Sequence, residues 1–267
     1  MTTHPPCVSL FRAWRPSIAL AGVLMLAAPA SAQTVLLRDD FNGTTLNTAL
    51  WNLGTWQLGR TQLGNSPVVG GGIARLTFDT YRFRGTEIWS KANFARGNGL
   101  EIEARCRLNQ LPSGLVTSLF TYAYDPATAR SDELDIEILS KQVNATSGAD
   151  PVMFTSWNNW SEASPTYGDG IHHWSFSVLL GGFDVNAWHT YVIRWLPGRT
   201  EWWIDGVLVG STDKAQPDAV TPVRMNFWAP ASSWTDAYSA TLAPAKKASA
   251  NRRYYYDVDW VEVRQLP

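Results

Sequence analysis

The chain has 267 residues, of which 45% are hydrophobic, and its formal net charge at pH 7 is −1. A chain of this length can bury a core large enough to stabilise a fold without other support. A nearly neutral protein lacks the basic face that binding to a nucleic-acid backbone requires, so we expect no nucleic-acid partner.

The first 32 residues have the pattern of a secretory signal peptide. Arg12 and Arg15 precede the apolar run Ile18–Ala28, and the small residues that end at Ala32 supply an A-x-A cleavage site. The apolar run is shorter than the ~20 residues of a membrane-spanning helix. We therefore expect cleavage after Ala32, a secreted or periplasmic mature protein of residues 33–267, and no contact with the membrane afterwards.

The mature chain would carry a single cysteine. Cys7 leaves with the signal peptide, so Cys106 has no partner for an internal disulfide. Cys106 lies in the alternating stretch LEIEARCRL, residues 100–108, where we predict a small buried side chain and not a nucleophile.

Short alternating or apolar segments bounded by Gly, Pro, Asn and Asp fill the mature chain, and helical periodicity is hard to find. The predicted strands are Ile73–Phe78, Glu87–Ser90, Leu100–Leu108, Leu115–Tyr122, Glu133–Leu139, Val152–Trp157, His189–Trp195, Glu201–Ile204, Val207–Val209, Val223–Trp228 and Tyr255–Val263. Asp205-Gly206 predicts a type I′ hairpin turn. The Pro- and Ala-rich stretch Ala229–Ala250 predicts a long surface loop. Together these segments predict one all-β domain, a sandwich or a barrel.

The stretch SDELDIEIL, residues 131–139, places Glu133, Asp135 and Glu137 at every second position. On a strand these acids share one face, and the aliphatic residues between them share the other. A solvated polar face usually mixes Lys, Thr and Ser. A calcium site is a second interpretation, but such sites usually take their ligands from loops and carbonyl oxygens. Protection of a sheet edge by inward-pointing charges is a third, but those charges are commonly lysines. The remaining interpretation is paired-carboxylate chemistry.

The spacing of the two outer acids favours that interpretation. The Cα atoms of Glu133 and Glu137 would lie roughly 13 Å apart at ~3.3 Å per residue. Two arms of about 3.5–4 Å that lean together would bring the carboxyls to about 5–6 Å. A separation of ~5–5.5 Å is typical of retaining glycosidases and ~6.5–9.5 Å of inverting ones, so the spacing predicts retention. Asp135 can hydrogen-bond to a neighbour, and mutual repulsion predicts that the cluster keeps a proton at neutral pH.

Aromatic residues are abundant, with 14 tryptophans in the chain. They crowd in TSWNNW (Thr155–Trp160), EWW (Glu201–Trp203) and NFWAPASSW (Asn226–Trp234). Sugar rings have apolar C–H faces and polar rims, so aromatic rings beside Asn and Asp suit a carbohydrate groove. We predict that Trp157 and Trp234 border such a groove. His172-His173 has no further His or Cys nearby and is interpreted as loop or strand-edge structure.

The ELDIE stretch resembles the E-x-D-x-E signature of glycoside hydrolase family 16. Four more segments resemble the family in the same order, namely GLVTSLFTYAY, HTYVIRWLPGRTEWWIDGVLV, MNFWAP and DVDWVEV. Together they span most of the mature chain. The resemblance implies a concanavalin A-like jelly roll, a β-sandwich of two curved antiparallel sheets with the substrate across the concave one.

Carried onto the matching positions, the resemblance implies that Glu133 is the nucleophile, Glu137 the acid/base and Asp135 an assisting carboxylate. The compact signature, without the additional residue of the bulged E-x-D-x-x-E form, is similar to lichenases and xyloglucan-active enzymes. The matching positions for sugar contact are Asn226, Trp228, Phe120, Tyr122 and Glu87. Asp259 matches an aspartate that binds a structural calcium in lichenase-like members, and catalysis would need no cofactor.

Three positions depart from the lichenase pattern. Ser131 stands in place of a Trp, Trp89 in place of an Arg and Thr155 in place of an Asn. These changes leave the acids intact and alter the surface that would contact the sugar. We still predict that Trp89 is one of the residues that bind the substrate.

The resulting prediction is an exported, monomeric, retaining endo-β-glycanase whose partner is a β-glucan-type polysaccharide, with a lichenan-like substrate as the family default. A transglycosylase, or a depolymerase of an exopolysaccharide or xyloglucan, would use the same fold and acids. A non-catalytic lectin-like module is the third alternative, and the intact acid cluster counts against it. Sequons for N-glycosylation occur at Asn42, Asn144 and Asn159.

Overall fold

The computed structural model describes residues 33–143 and 150–267. The predicted signal peptide and the sequon at Asn144 lie outside the described residues. Within them, no helix is long and apolar enough to cross a membrane.

The regular secondary structure of the described chain is strands, apart from one short 3-10 helix at Ala248–Ala250. The strands are β1 Thr34–Asp39, β2 Trp51–Leu53, β3 Gln57–Leu58, β4 Thr61–Leu63, β5 Val68–Gly70, β6 Ile73–Asp79, β7 Arg84–Ser90, β8 Leu100–Leu108, β9 Val116–Asp125, β10 Arg130–Leu139, β11 Pro151–Trp160, β12 His173–Leu179, β13 His189–Leu196, β14 Arg199–Ile204, β15 Val207–Thr212, β16 Val223–Trp228 and β17 Arg253–Gln265.

The strands form two sheets, and all their pairings are antiparallel apart from a short parallel pairing of β4 with β7. The front sheet has the order β2–β7–β16–β9–β10–β11–β12. In the back sheet, one edge of β17 pairs with β8, and its other edge pairs with β1 and β6. Beyond β8 the strand order is β13–β14–β15. The acidic strand β10 therefore lies inside the front sheet, with a neighbour on each side.

The hydrophobic core lies between the two sheets. From β10, Leu134, Ile136 and Ile138 are at most 4% exposed and belong to the main apolar cluster. Across the layer, the ring centroids of Phe154 on β11 and Trp202 on β14 lie 5.6 Å apart. Complete burial of a large apolar side chain stabilises a fold by about 1.5–3 kcal/mol. Because the aliphatic face of β10 is held in this core, its acidic face points away from it.

All eleven predicted strands are present, and Leu100–Leu108 and Val223–Trp228 have the predicted bounds. Six strands were not predicted. Four of them, β2 to β5, have two or three residues each, which is too short for an alternating pattern to be recognised. The other two are β1 and β12. The all-β sandwich is confirmed.

Two local predictions are also confirmed. Asp205 and Gly206 have φ angles of 49° and 76°, both positive as a type I′ turn requires. Cys106 is a free, buried cysteine. Burial raises the pKa of its thiol to about 12, so it is not a thiolate nucleophile at neutral pH.

The predicted loop Ala229–Ala250 contains no strand, and it is held by Arg60, between β3 and β4, and by a ring contact with β16. Arg60 donates hydrogen bonds to the carbonyl oxygens of Pro230 and Leu242, each at 2.9 Å. Trp234, within the loop, packs its ring 5.9 Å from the ring of the last residue of β16. The loop thus brings an aromatic side chain beside the acidic face of the sheet.

Candidate active site

The three acids of the E-x-D-x-E motif on β10 all border one cavity. Glu133, Asp135 and Glu137 line a space of about 290 Å³ on the front sheet, which we call the first cavity. The register of β10 with β9 is unbroken from Arg130 to Leu139, so no bulge interrupts the motif. The three carboxyls therefore share one face, as their spacing predicts.

Cross-strand pairing sets the neighbours of each acid. Glu133 lies between Tyr122 on β9 and Trp157 on β11, and Trp157 pairs in turn with His173 on β12. Directly opposite residues in a sheet share a face. These four side chains therefore form a row across the sheet, at right angles to the strands.

Hydrogen bonds fix the orientation of the acids. The indole Nε1 of Trp157 donates to Oδ2 of Asp135 at 3.0 Å, and Asp135 is hydrogen-bonded to Glu133. The hydroxyl of Ser118 donates to Oε1 of Glu137 at 3.2 Å. None of the three carboxyls forms an ion pair within the described chain.

The electrostatic surroundings keep protons on this cluster. Burial is the largest cause of a raised pKa at all three acids, and for Glu137 it raises the pKa to about 7. Repulsion from the neighbouring acids adds to the rise at Glu133 and Asp135. The hydrogen bond between Glu133 and Asp135 lowers the pKa of Glu133 and raises the pKa of Asp135. This is the pattern of a protonated Asp135 that donates to an anionic Glu133.

One guanidinium lies in the same cavity. Nη1 of Arg224, on β16, is 2.9 Å from Oε1 of Glu87, and both side chains are largely buried. The guanidinium lies 5.3–5.9 Å from the centres of three aromatic rings, those of Trp56, Trp89 and Tyr122. Its positive charge lowers the pKa of Glu133 and opposes the effect of burial.

Most of the predicted sugar-contact residues border one of two cavities. Those of the first cavity are Phe120, Tyr122, Glu87, Asn226 and Trp228. A second cavity of about 530 Å³ shares Glu137 with the first and is also bordered by Trp157 and Trp234. Trp89 borders neither, and its ring packs 5.2 Å from the ring of Trp56.

Three buried polar atoms of residues that line the first cavity have no hydrogen-bond partner in the described chain. They are Oδ1 of Asn226, Nε1 of Trp228 and Nε of Arg224. A buried polar atom without a partner costs roughly 1–3 kcal/mol. One acceptor and two donors placed this way suit the hydroxyl groups of a bound sugar.

Sequence reasoning missed several residues of the site. Arg224 alternates with Asn226 and Trp228, so the period of two on β16 was a signal for it. Ser118 precedes Phe120 in the same way on β9. His173 was interpreted as loop or strand-edge structure. It begins β12 and borders the second cavity.

One aromatic cluster was placed wrongly. The EWW stretch belongs to β14 in the back sheet. Trp202 is fully buried in the core, and Trp203 lies under the guanidinium of Arg194 at 4.6 Å. Alternation sends these rings to the core and to the outer surface, so neither reaches the acidic face.

Two of the three departures have distinct surroundings. The side chain of Ser131 is hydrogen-bonded to Tyr122, beside the first cavity. The hydroxyl of Thr155 is buried without a partner in the described chain. Both side chains are smaller than the Trp and Asn that the lichenase pattern has at these positions.

The residue expected to bind calcium has another partner. The carboxylate of Asp259, on β17, accepts a hydrogen bond from Nη1 of Arg105 at 2.5 Å. Asp259 is thus paired with a guanidinium, and its binding of calcium stays a prediction. In the described residues, no group of three or more His, Cys, Asp or Glu is placed to hold a metal ion.

The fold and the acid-lined cavity define a β-sandwich that presents a row of carboxyls on one open face. The family model described as Glycosyl hydrolases family 16 matches residues 53–262. The chain belongs to this family, as its motif predicts.

Relatives with curated descriptions are beta-glucanases. A beta-glucanase of Paenibacillus macerans is 29% identical over 189 residues, which cover 69% of this chain and 64% of that protein. The chain spans 42–64% of the length of this and the next two such relatives, beta-glucanases of Paenibacillus polymyxa and Bacillus amyloliquefaciens.

Solved structures share the fold. The Bacillus licheniformis beta-glucanase has a TM-score of 0.62 and 22% identity, with 86% of this chain and 98% of that chain covered. The laminarinase catalytic domain of Thermotoga maritima has a TM-score of 0.65 and 14% identity, with 88% and 99% covered. The jelly-roll fold is thereby confirmed. Because the two structures are equally similar, the fold does not choose between their substrates.

Proposed function

We propose that this protein is a retaining endo-β-glycanase that hydrolyses a β-glucan-type polysaccharide. The observation that carries the proposal is the row of three carboxyls without ion-pair partners in the described chain, in a cavity sized for a sugar. Asp135 is buried, and Glu133 and Glu137 are half-buried. Beta-glucanases among the relatives support the glucan as substrate. The second cavity beside Glu137 supports endo-action, because a polysaccharide can continue past the acids on both sides.

The first step transfers the glycosyl group to the protein. A carboxylate oxygen of Glu133 attacks the anomeric carbon, and the bond from that carbon to the bridging oxygen breaks. Glu137 gives its proton to the departing oxygen, which leaves as a free hydroxyl. The product of this step is a glycosyl ester of Glu133.

The second step releases the sugar. A water molecule gives a proton to the carboxylate of Glu137 while its oxygen attacks the anomeric carbon. The ester bond breaks, Glu133 becomes an anion again and Glu137 is protonated for the next cycle. Two displacements at one carbon give net retention of configuration.

Burial raises the pKa of Glu133 to about 8 and that of Glu137 to about 7, so the cluster of acids shares protons at neutral pH. The contacts of the two glutamates differ. The charge of Arg224 and the hydrogen bond with Asp135 both favour the anion of Glu133, whereas Glu137 has no such cation within the described chain. A nucleophile must be ionised and a general acid protonated, so these contacts support Glu133 as the nucleophile and Glu137 as the general acid.

The export of the protein is a further part of the proposal. It is supported by the signal-peptide pattern of residues 1–32, and mass spectrometry of the mature N-terminus tests it. A mature chain that begins at Gln33 is expected. The persistence of residues 1–32 would contradict it.

A polysaccharide screen tests the proposed activity. Lichenan, laminarin, xyloglucan and bacterial exopolysaccharides would each be incubated with the protein, and the products analysed by mass spectrometry and proton NMR. The proposal expects internal cleavage of a β-glucan, with the β-anomer as the first product. Binding without cleavage of any glycan would favour a lectin, and an α-anomer as the first product would contradict retention.

A further inference from the structure

A β-bulge lies in β11 directly beside the proposed nucleophile. Along this edge of β10, Glu133 pairs with Trp157. Two residues earlier on β10, Ser131 pairs with Trp160, which is three residues later on β11. Asp132, between these two pairs, therefore faces two residues of β11, where a regular strand would offer one. Bulges of this kind bend a strand and re-aim its side chains, and they are frequent next to active sites.

The bulge places two tryptophans on the same face of the sheet. Residues three apart on a regular strand point to opposite faces. The rings of Trp157 and Trp160 instead make an edge contact, with centroids 5.1 Å apart and planes at 70°. In this packed position, Nε1 of Trp157 donates to Oδ2 of Asp135 at 3.0 Å. The bulge therefore determines where this indole lies relative to the acids.

One oxygen of the Asp132 carboxylate stabilises the bulge. Oδ1 of Asp132 accepts a hydrogen bond from the backbone N–H of Asn159 at 2.6 Å. Asn159 has a φ of 50°, in the left-handed region that Asn adopts more readily than most other residues with a side chain. The additional residue of a bulge is left unpaired in the sheet. Asp132 supplies the acceptor that the regular pairing would otherwise have given.

The other oxygen of the same carboxylate holds the segment that precedes β16. Oδ2 of Asp132 accepts from the backbone N–H groups of Asp218 and Ala219, each at 2.9 Å. β16, which carries Arg224, begins a few residues later. Asp132 is 8% exposed and borders neither the first nor the second cavity. It therefore acts on the site through the backbone of the segments that it joins.

We propose that Asp132 is a positioning residue for the nucleophile. Its carboxylate fixes the bulge in β11, and the bulge fixes the indole of Trp157. The indole in turn orients Asp135, which donates its proton to Glu133. The proposal rests on the glycosidase function proposed above, but the link from Asp132 to Trp157 can be measured without any substrate. If Asp132 only stabilised the fold, its loss would lower the melting temperature and leave both the indole and kcat unchanged.

The first test follows the indole N–H of Trp157 by NMR on the full chain with isotope-labelled tryptophan. Trp157→Phe identifies the signal, because that variant lacks this N–H. In Asp132→Ala the signal should move towards the position of an indole that is hydrogen-bonded to water, and its hydrogen should exchange faster with solvent. Asp132→Asn keeps one acceptor oxygen in a side chain of the same shape, so the signal should move less.

Asp79 offers a matched control. It is also 8% exposed, and its carboxylate also accepts hydrogen bonds from two segments, through the backbone N–H of Arg82 at 2.8 Å and the side chain of Asn65 at 3.2 Å. Asp79 borders neither cavity. Asp79→Ala should therefore lower the melting temperature, leave the Trp157 signal in place and keep kcat within about twofold of the wild type.

A double-mutant cycle measures the same link in turnover of the polysaccharide that the screen identifies. Asp132→Ala and Trp157→Phe should each lower kcat by about tenfold, the effect of one lost hydrogen bond. The double variant should also lose about tenfold and not about a hundredfold, because both changes remove the same contact. Asp132→Asn should lose less than Asp132→Ala, which parallels its smaller change in the NMR signal.

Two results would overturn the proposal while the proposed function stands. They are an unmoved Trp157 signal in folded Asp132→Ala, and losses of kcat that add up in the double variant. If Asp132→Ala does not fold, Asp132→Asn takes its place in both measurements. A wild type that cleaves no polysaccharide overturns the catalytic role together with the proposed function, and the NMR signal then still shows whether Asp132 positions Trp157.

Discussion

Strands β8 and β10 have similar sequences and opposite surroundings. Both alternate charged residues with apolar ones, and both bury their apolar face in the same core. On β8, each acid has an arginine partner, with Glu101 2.5 Å from Arg194 and Glu103 paired with Arg264. On β10 the acids have no such partner in the described chain. A charged strand face thus stabilises the fold where it is neutralised and becomes reactive where it is not.

The largest difference between the two strands should appear in activity. Glu133→Gln on β10 removes the proposed nucleophile and should lower kcat by at least about 10⁴-fold. Glu103→Gln on β8 should leave kcat within twofold, because its carboxylate serves only an ion pair. Turnover on the polysaccharide identified by the screen measures both. Wild-type activity in Glu133→Gln, or an equal loss of activity in Glu103→Gln, would contradict the proposed difference in role between the acids of β10 and those of β8.

A second contrast concerns the proton on Asp135. Asp135→Ala should lower kcat by roughly 10²-fold, a typical size for the loss of an assisting proton or hydrogen bond. Asp135→Asn should recover part of this loss, since its amide N–H can still donate to Glu133. The comparison of the two variants is the measurement. Equal activity in both would show that Asp135 does not act as a hydrogen-bond donor.

A third contrast concerns arginines. Arg224→Gln should move the acidic limb of the pH–rate profile to higher pH, because the charge of Arg224 favours the anion of Glu133. The double variant with Glu87→Gln removes the buried carboxylate left without its ion pair. It should regain stability and keep part of the shift, because the charge of Glu87 raises the pKa of Glu133 by less than the charge of Arg224 lowers it. Arg264→Gln, on the back sheet, is the control and should leave the profile unchanged. A profile unaltered by Arg224→Gln would count against this role.

The smallest expected effect is on stability. Burial raises the pKa of Glu137 from 4.5 to about 7. Its folded-state pKa exceeds the unfolded value, so its contribution to stability is complete below pH 4.5 and is lost as the pH rises through about 7. Glu137→Gln should therefore raise the melting temperature at pH 8 by about 5 °C, which corresponds to about 2 kcal/mol in the free energy of unfolding. At pH 4 the gain should vanish, and calorimetry at both pH values checks the sign. A gain at pH 4 equal to that at pH 8 would contradict it.

Much of the fold could be predicted from the sequence, because alternation is a local signal. The strand that carries the acids, its neighbours and the two-residue turn at Asp205-Gly206 were all recognisable. Which sheet a strand joins depends on pairing between distant segments. That is why EWW was placed in the groove, although β14 belongs to the back sheet.

The site shows the same division. The acids were found from a period of two on one strand. The second cavity was not found, because His173 reaches it through the pairing of β12 with Trp157 on β11, which the sequence does not show. Arg224 was overlooked for a related reason, since its proximity to Glu133 comes from strands that are distant in sequence.

The most direct test of the account is to trap the glycosyl group on the protein. A fluorinated oligosaccharide with a reactive leaving group slows the second displacement and lets the ester accumulate. Digestion and mass spectrometry would then locate the added sugar mass. The account predicts one adduct, on the peptide and side chain of Glu133. An adduct on Glu137, or sugar release with the α-configuration and no adduct, would contradict it.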